Sequence, residues 1–323
     1  MIFVSIIFIN LIFYFYLDKI SNFLNIYDNP DSVIKIHKNR TFIGGGIILY
    51  SNFIMMFLYH VYVDKIFMMS ISLFITSSLI FIVGLIDDKV RLPITFRLIS
   101  TFIILYFFFN FKKEFLIVEI FTNFIDYKIN LREFSLVFTI ICFITLINIM
   151  NMSDGINNLS SIYIFLFFIY LFFKNEELIS FYLLFPGLLT FFILNYKDRA
   201  FLGDGGIYLI YFLIGCFVSI SYNSKLINFQ SITIMFIVPF IDMIRVSLIR
   251  IINSRSPAVG DNNHLHHILM KKINNSFIVS IIIISLTVIP IIFYELINQH
   301  ILIFSIQLFF YFFIVLFLTE KKL

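Results

Sequence analysis

Six of the chain's twelve aspartates, Asp87, Asp88, Asp154, Asp204, Asp242 and Asp261, fall in polar islands of a sequence otherwise dominated by Phe, Ile and Leu. Adjacent carboxylates such as Asp87 and Asp88 repel one another unless a divalent cation or nearby positive charge relieves them. Mg²⁺ suits carboxylate oxygens combined with bridging phosphates. Asp204 sits between glycines in Gly203-Asp-Gly-Gly, where the backbone can approach an anion at a helix start. Helix capping is the alternative reading for all three of these acids. Asp154 belongs to the polar stretch Asn148–Ser160, which carries four carboxamides between two apolar segments. His264, His266 and His267 lie within four residues, close to Arg245, Arg250 and Arg255. Zinc would want a closed nitrogen and sulfur set, and no cysteine is near. Histidines beside arginines suit a phosphate-rich site equally well. Acids for a metal and cations for phosphates point to phosphoryl transfer between a nucleotide substrate and a lipid phosphate.

The elements that must position these residues are membrane helices. The chain has 323 residues, 61% hydrophobic and 13% charged, with a mean hydropathy of +1.01, which excludes a soluble domain. Eleven spans fit the apolar runs: 2–17, 44–62, 66–86, 96–111, 134–150, 158–173, 178–195, 205–222, 229–252, 275–297 and 301–318. The expected fold is an all-α polytopic membrane protein of about 10–11 transmembrane helices, a single domain over 1–323. Within 112–133, the stretch Asp126-Tyr-Lys-Ile-Asn-Leu131 alternates at period two and predicts a small outer β-hairpin. Pro186, Pro239 and Pro290 fall inside spans and are expected to kink them. The first span lacks a basic lead and a cleavage site, so it reads as a retained helix. Cys142 and Cys216 lie far apart in apolar spans, with no disulfide framework.

Sixteen of the 23 lysines and arginines fall on one side of this topology, which is therefore read as cytoplasmic. All the polar islands lie on that side. The first runs from Asp28 through Lys35 and His37 to Gly44–Gly46, a basic loop meeting a triple glycine.

In order, the islands resemble the polyprenyl-phosphate N-acetylhexosamine-1-phosphate transferases, the glycosyltransferase 4 family. The residues carrying this resemblance are Asp28-x-Pro with Lys35-x-His37, Asp87-Asp88 with Arg97, and Asn148-x-x-Asn151-x-x-Asp154-Gly155. Phe201-Leu-Gly-Asp204 and Ser256-Pro257 with Asp261-x-x-His264-Leu-His266-His267 complete it. The resemblance implies transfer of a sugar-1-phosphate from a UDP-N-acetylhexosamine to undecaprenyl phosphate, releasing UMP and initiating a cell-envelope polysaccharide such as lipopolysaccharide. It implies Mg²⁺, or Mn²⁺, held by Asp204 and Asp154. Asp87 is then the candidate base, with Asp88 beside it. His264, His266, His267 and Arg255 face phosphate, with Lys35 and His37 in the first loop. Asn151, Asp154, Asn157, Asn195 and Phe201 face the nucleotide. Asn157 and Phe42 depart from the family, which has Asp and Pro there; Asn157 keeps hydrogen-bonding capacity but brings no charge.

The implied partners are these two substrates and the lipid bilayer of a bacterial inner membrane. The reading allows a homodimer and calls for no nucleic acid. His-Leu-His-His resembles the N-acetylglucosamine-1-phosphate branch more than the muramoyl-pentapeptide branch, which stays as an alternative. A multi-span transporter is the alternative of another class. It would place acids near the bilayer midplane, often in repeated halves, whereas these acids sit at helix ends and no repeat is visible.

Overall fold

The computed structural model describes residues 2–28, 40–61, 71–122, 127–256 and 262–319. Its first half runs α1 (Ile2–Leu24), β1 (Tyr27–Asp28), β2 (Thr41–Ile43), α2 (Gly45–Tyr59), α3 (Ile71–Val90), α4 (Ile94–Phe111), β3 (Glu119–Thr122), β4 (Tyr127–Asn130) and α5 (Ser135–Ser153). Then follow α6 (Leu159–Lys174), α7 (Phe185–Tyr196), β5 (Ala200–Phe201), α8 (Gly203–Asn223), α9 (Phe229–Ile252), α10 (Leu265–Ile273), α11 (Ser276–Ile297) and α12 (His300–Thr319). Among the described residues, eight helices are long and apolar enough to cross a membrane, and α2, α6 and α7 are shorter apolar helices. These eleven answer one for one to the expected spans. The protein is an all-α polytopic membrane protein.

A helix that is apolar on every face must be surrounded, and α8 is that helix. In its most apolar window 89% of residues are buried, against 17–39% in the other long helices. Glycines set how closely its neighbours approach. A Cβ on Gly46 of α2 would lie 2.4 Å from the Gly206 nitrogen, and one on Gly84 of α3 would lie 2.5 Å from the Asp204 oxygen. Only glycine allows these crossings. They bring the end of α3, with Asp87 and Asp88, against the start of α8.

At that same end β1 pairs antiparallel with β2, and β2 pairs parallel with β5, with Phe42 facing Tyr27 on one side and Ala200 on the other. This three-stranded sheet was not expected, because strands of two or three residues show no period. Phe42 is buried in it. The hairpin of β3 and β4 forms within 112–133 as read from the sequence, at the opposite end of the bundle. Tyr222 pins it, accepting from the Phe121 N–H at 2.9 Å and donating to the Glu119 carbonyl.

Two sequence readings need correction. The first span continues past residue 17 to Leu24 through a kink at Tyr16, and on either side of that kink Tyr14 accepts from Lys197 and Asp18 pairs with Arg199 at 3.3 Å. Pro186 opens α7 instead of kinking a span; residues before it form a 3₁₀ stretch, and the first turn tolerates a missing N–H. Pro239 and Pro290 lie inside α9 and α11 as expected. Both cysteines are free.

Candidate active site

Where α3, α5, α8 and the small sheet meet, a cleft of about 630 Å³ opens, bounded on its far side by α10. Its lining includes Asp88, Asn151, Asp154, Asn157, Asn195, Phe201, Asp204 and His267, eight of the residues expected from the sequence. Asp87, His264, His266 and Arg255 are not among its lining residues. Lys35 and His37 lie outside the described residues, as do Pro257 and Asp261.

Asp88 uses both carboxylate oxygens on the first turn of α8. One accepts from the Asp204 N–H at 2.8 Å and the other from the Gly205 N–H at 3.1 Å. Free N–H groups and the positive end of the helix dipole favour a carboxylate there. Capping, the alternative reading, therefore operates between helices 116 residues apart. It aims Asp204 into the cleft. The Asn151 amide donates to Asp204 at 2.8 Å, while Arg97 lies 3.8 Å from its other oxygen. Arg97 also holds Asp87 at 2.6 Å, and the second Asp87 oxygen accepts from the Leu92 N–H at 2.7 Å. Asp87 is buried with both oxygens taken.

Asp154 follows the last turn of α5 and accepts from the Ser160 hydroxyl. Burial pushes its carboxyl up to about 6, against the opposing pull of Ser160. The Asn195 carboxamide is committed to backbone: it accepts from the Asn158 N–H at 2.6 Å and donates to the Ala200 carbonyl at 2.8 Å. It shapes the cleft wall more than it offers contacts. Asn157 donates its amide to Asp198, which also lines the cleft. The acid that the family has at 157 is thus present one side chain away. Asp28 of the Asp28-x-Pro motif lines the cleft as well, with Thr41 and Asp198, two residues that no sequence motif marks as site residues.

Behind the cleft lies a second polar cluster. Asp242 of α9 accepts from Arg245 at 2.7 Å, His264 at 2.8 Å, Tyr311 at 2.9 Å and the Leu265 N–H at 3.1 Å. Arg245 also donates to Tyr311 and to the Asn263 carbonyl. His264 therefore serves the junction of α9, α10 and α12. His266 is 2% exposed, and its Nε2 has no partner among the described residues. Burial, then the imidazoles of His267 and His264, hold it well below the usual histidine range. It packs against Gly155, where any Cβ would fall 2.0 Å from Nε2. The neutral ring so fixes the turn that presents Asp154. Arg255 is exposed beyond the end of α9.

Among the described residues, no three His, Cys, Asp or Glu side chains converge as a closed metal set. Mg²⁺ asks for less: it keeps several waters and takes one or two carboxylates together with substrate phosphates. Asp154 and Asp204, both facing the cleft, fit that demand. A cation beside Asp154 would also favour the ionised form that burial opposes.

Two comparisons bear out the family resemblance. The sequence model of glycosyl transferase family 4 matches residues 70–222, a stretch that holds the Asp87–Asp88, Asn151–Asp154 and Asp204 islands. The chain is also 24% identical over 282 residues to the undecaprenyl-phosphate alpha-N-acetylglucosaminyl 1-phosphate transferases of Salmonella typhi and Salmonella typhimurium. Those alignments cover 83% of this chain and 75% of each relative.

Proposed function

We propose that this chain transfers an N-acetylhexosamine-1-phosphate from a UDP-sugar to undecaprenyl phosphate and releases UMP. The observation that carries the reading is the cleft, which gathers Asp88, Asp154 and Asp204 from three separate elements at the ends of membrane helices. The names of the two relatives support the same acceptor and the same transferred group. In the reaction an oxygen of the lipid phosphate attacks the sugar-bearing phosphorus. A new P–O–P linkage forms as the bond to the UMP phosphate breaks.

Asp154 and Asp204 would hold Mg²⁺, or Mn²⁺ in its place, on the donor pyrophosphate. When bound, the cation offsets the charge that builds on the leaving phosphate. Asp88 keeps the start of α8 aimed at the cleft, and Asn151 fixes the Asp204 carboxylate. Phe201 offers an aromatic wall, and the Asn157–Asp198 pair a polar edge, for the nucleotide. His267 is the cluster member positioned to meet phosphate; His264 and His266 support it from behind. Asp87 is the candidate base. A phosphate monoester with a second pKa near 6 is mostly dianionic at neutral pH. A base then acts mainly on the protonated fraction, and Arg97 must first release Asp87. The lysine and arginine asymmetry supports a cleft on the cytoplasmic face of a bacterial inner membrane, where a UDP-sugar is at hand.

Purified protein in detergent, supplied with undecaprenyl phosphate, Mg²⁺ and labelled donors, tests this. UDP-N-acetylglucosamine and UDP-N-acetylgalactosamine should yield UMP and a lipid-linked product. Turnover confined to UDP-N-acetylmuramoyl-pentapeptide would move the chain to the other branch, and no product with any donor would sink the reading.

A further inference from the structure

At the end of the bundle opposite the cleft, two adjoining cavities of about 890 and 590 Å³ share Tyr294 and Asn298. Charge dominates the larger one. Lys128 pairs with Glu119 and Lys174 with Glu295. Lys113 and Lys225 line it too; both are exposed, and neither has an acidic partner among the described residues. The smaller cavity has a different unmet demand. Gln230 is 2% exposed, yet neither its Oε1 nor its Nε2 has a hydrogen-bond partner among the described residues. A carboxamide offers two donors and an acceptor, and buried polar groups are ordinarily satisfied. Gln299, His300 and Ser305 line the same space, whereas the nearby Asn228 and Thr233 are already engaged, with Tyr294 and His300. Two free ammonium groups call for an anion, and an orphaned buried amide calls for a hydroxyl.

Ile301 and Leu302 decide what kind of molecule carries both. They line the smaller cavity and are also 49% and 54% exposed on the lipid-facing side of α12. The polar space is therefore continuous with an apolar surface at the start of α12, the end of a membrane-length helix, where a headgroup would meet its acyl chains. A soluble anion would leave that wall unused; an amphiphile would cover it.

We propose that the joined cavities bind an anionic, hydroxyl-bearing lipid headgroup in the leaflet opposite the cleft. Lys113 and Lys225 take its phosphate, Gln230 its hydroxyl, and Ile301 and Leu302 the start of its acyl chains. Native mass spectrometry of the delipidated full chain, titrated with phosphatidylglycerol, phosphatidylethanolamine or glycerol phosphate, tests it. The wild type should retain phosphatidylglycerol at least about tenfold better than phosphatidylethanolamine, roughly what one charge-assisted contact supplies. That preference should vanish in Gln230→Leu and in Lys113→Ala/Lys225→Ala. The lysine pair is exposed, so it keeps the test open if Gln230→Leu does not fold. Glycerol phosphate retained as well as phosphatidylglycerol would show that the apolar wall adds nothing and would overturn the lipid assignment. Equal retention of both lipids by wild type, or a preference unchanged in the lysine variant, would overturn the proposal.

Discussion

Two groups of aspartates sit at the same end of the helix bundle and are treated in opposite ways. Asp242 is 5% exposed and accepts from Arg245, His264, Tyr311 and a backbone N–H. Asp154 and Asp204 are partly open to the cleft, the first with one hydroxyl partner and the second with one amide and a distant guanidinium. Burying a carboxylate is tolerable when its lone pairs are met by positive and hydrogen-bonding partners. Asp242 satisfies that condition within the chain. The cleft acids do not, and the missing share must come from something the cleft binds. The contrast separates an acid that holds helices together from acids reserved for a ligand.

Removing the sealed carboxylate should have the largest effect. Asp242→Asn leaves the half-buried Arg245 without its acid and His264 facing a neutral amide in place of a carboxylate, a loss of about 3 kcal/mol by analogy with broken buried pairs. Thermal unfolding in detergent should show a steep fall in the midpoint. A variant as stable as wild type but inactive would reverse the comparison and make Asp242 a chemical acid.

Asp204→Asn should do the converse. Its fold should survive, because the backbone N–H bonds to Asp88 do not involve the Asp204 side chain. Turnover should drop on the order of 10²–10³-fold, the scale of one lost electrostatic contact to a transition state. Wild-type UMP release at limiting Mg²⁺ would remove Asp204 from the cation site.

The smallest expected effect is graded with pH. With its carboxyl raised to about 6 by burial, Asp154 is neutral below that pH and ionised above it. Cation binding needs the ionised form, so Mg²⁺ affinity should fall about tenfold per pH unit below 6 and level off above it. The sign for stability is opposite: the cation-free fold is favoured while Asp154 is protonated and loses that contribution as pH rises through 6. Calorimetric titration of Mg²⁺ between pH 5 and 8 should give this slope in wild type and a flat line in Asp154→Asn. An equal slope in the variant would assign the titration to another group.

Much of this organisation is legible in the sequence. Each of the eleven helices leaves an apolar run, and the second strand of the hairpin leaves a period of two in residues 126–131. Eight of the expected site residues line one cleft because helix ends on one side of a membrane have little choice but to meet. Other features leave no local trace. Tyr311 lies in α12, an apolar helix with nothing to mark one tyrosine as a partner for Asp242. Asp198 looks like an ordinary loop acid until α7 and the turn at Asn157 are brought side by side. The β1–β2–β5 sheet is built from strands too short to carry a pattern.

Sequence alone determined the membrane character, the spans, and the stock of acids, amides and histidines at one end. Those follow from composition and period, which act over neighbouring residues. Tertiary structure decided how the acids divide their work. Which carboxylate caps α8, which is held by Arg97 and which is left open depends on helix crossings set by Gly46 and Gly84. A hydrogen bond is made or lost over about an ångström, a precision that spacing along the chain does not carry and helix packing does.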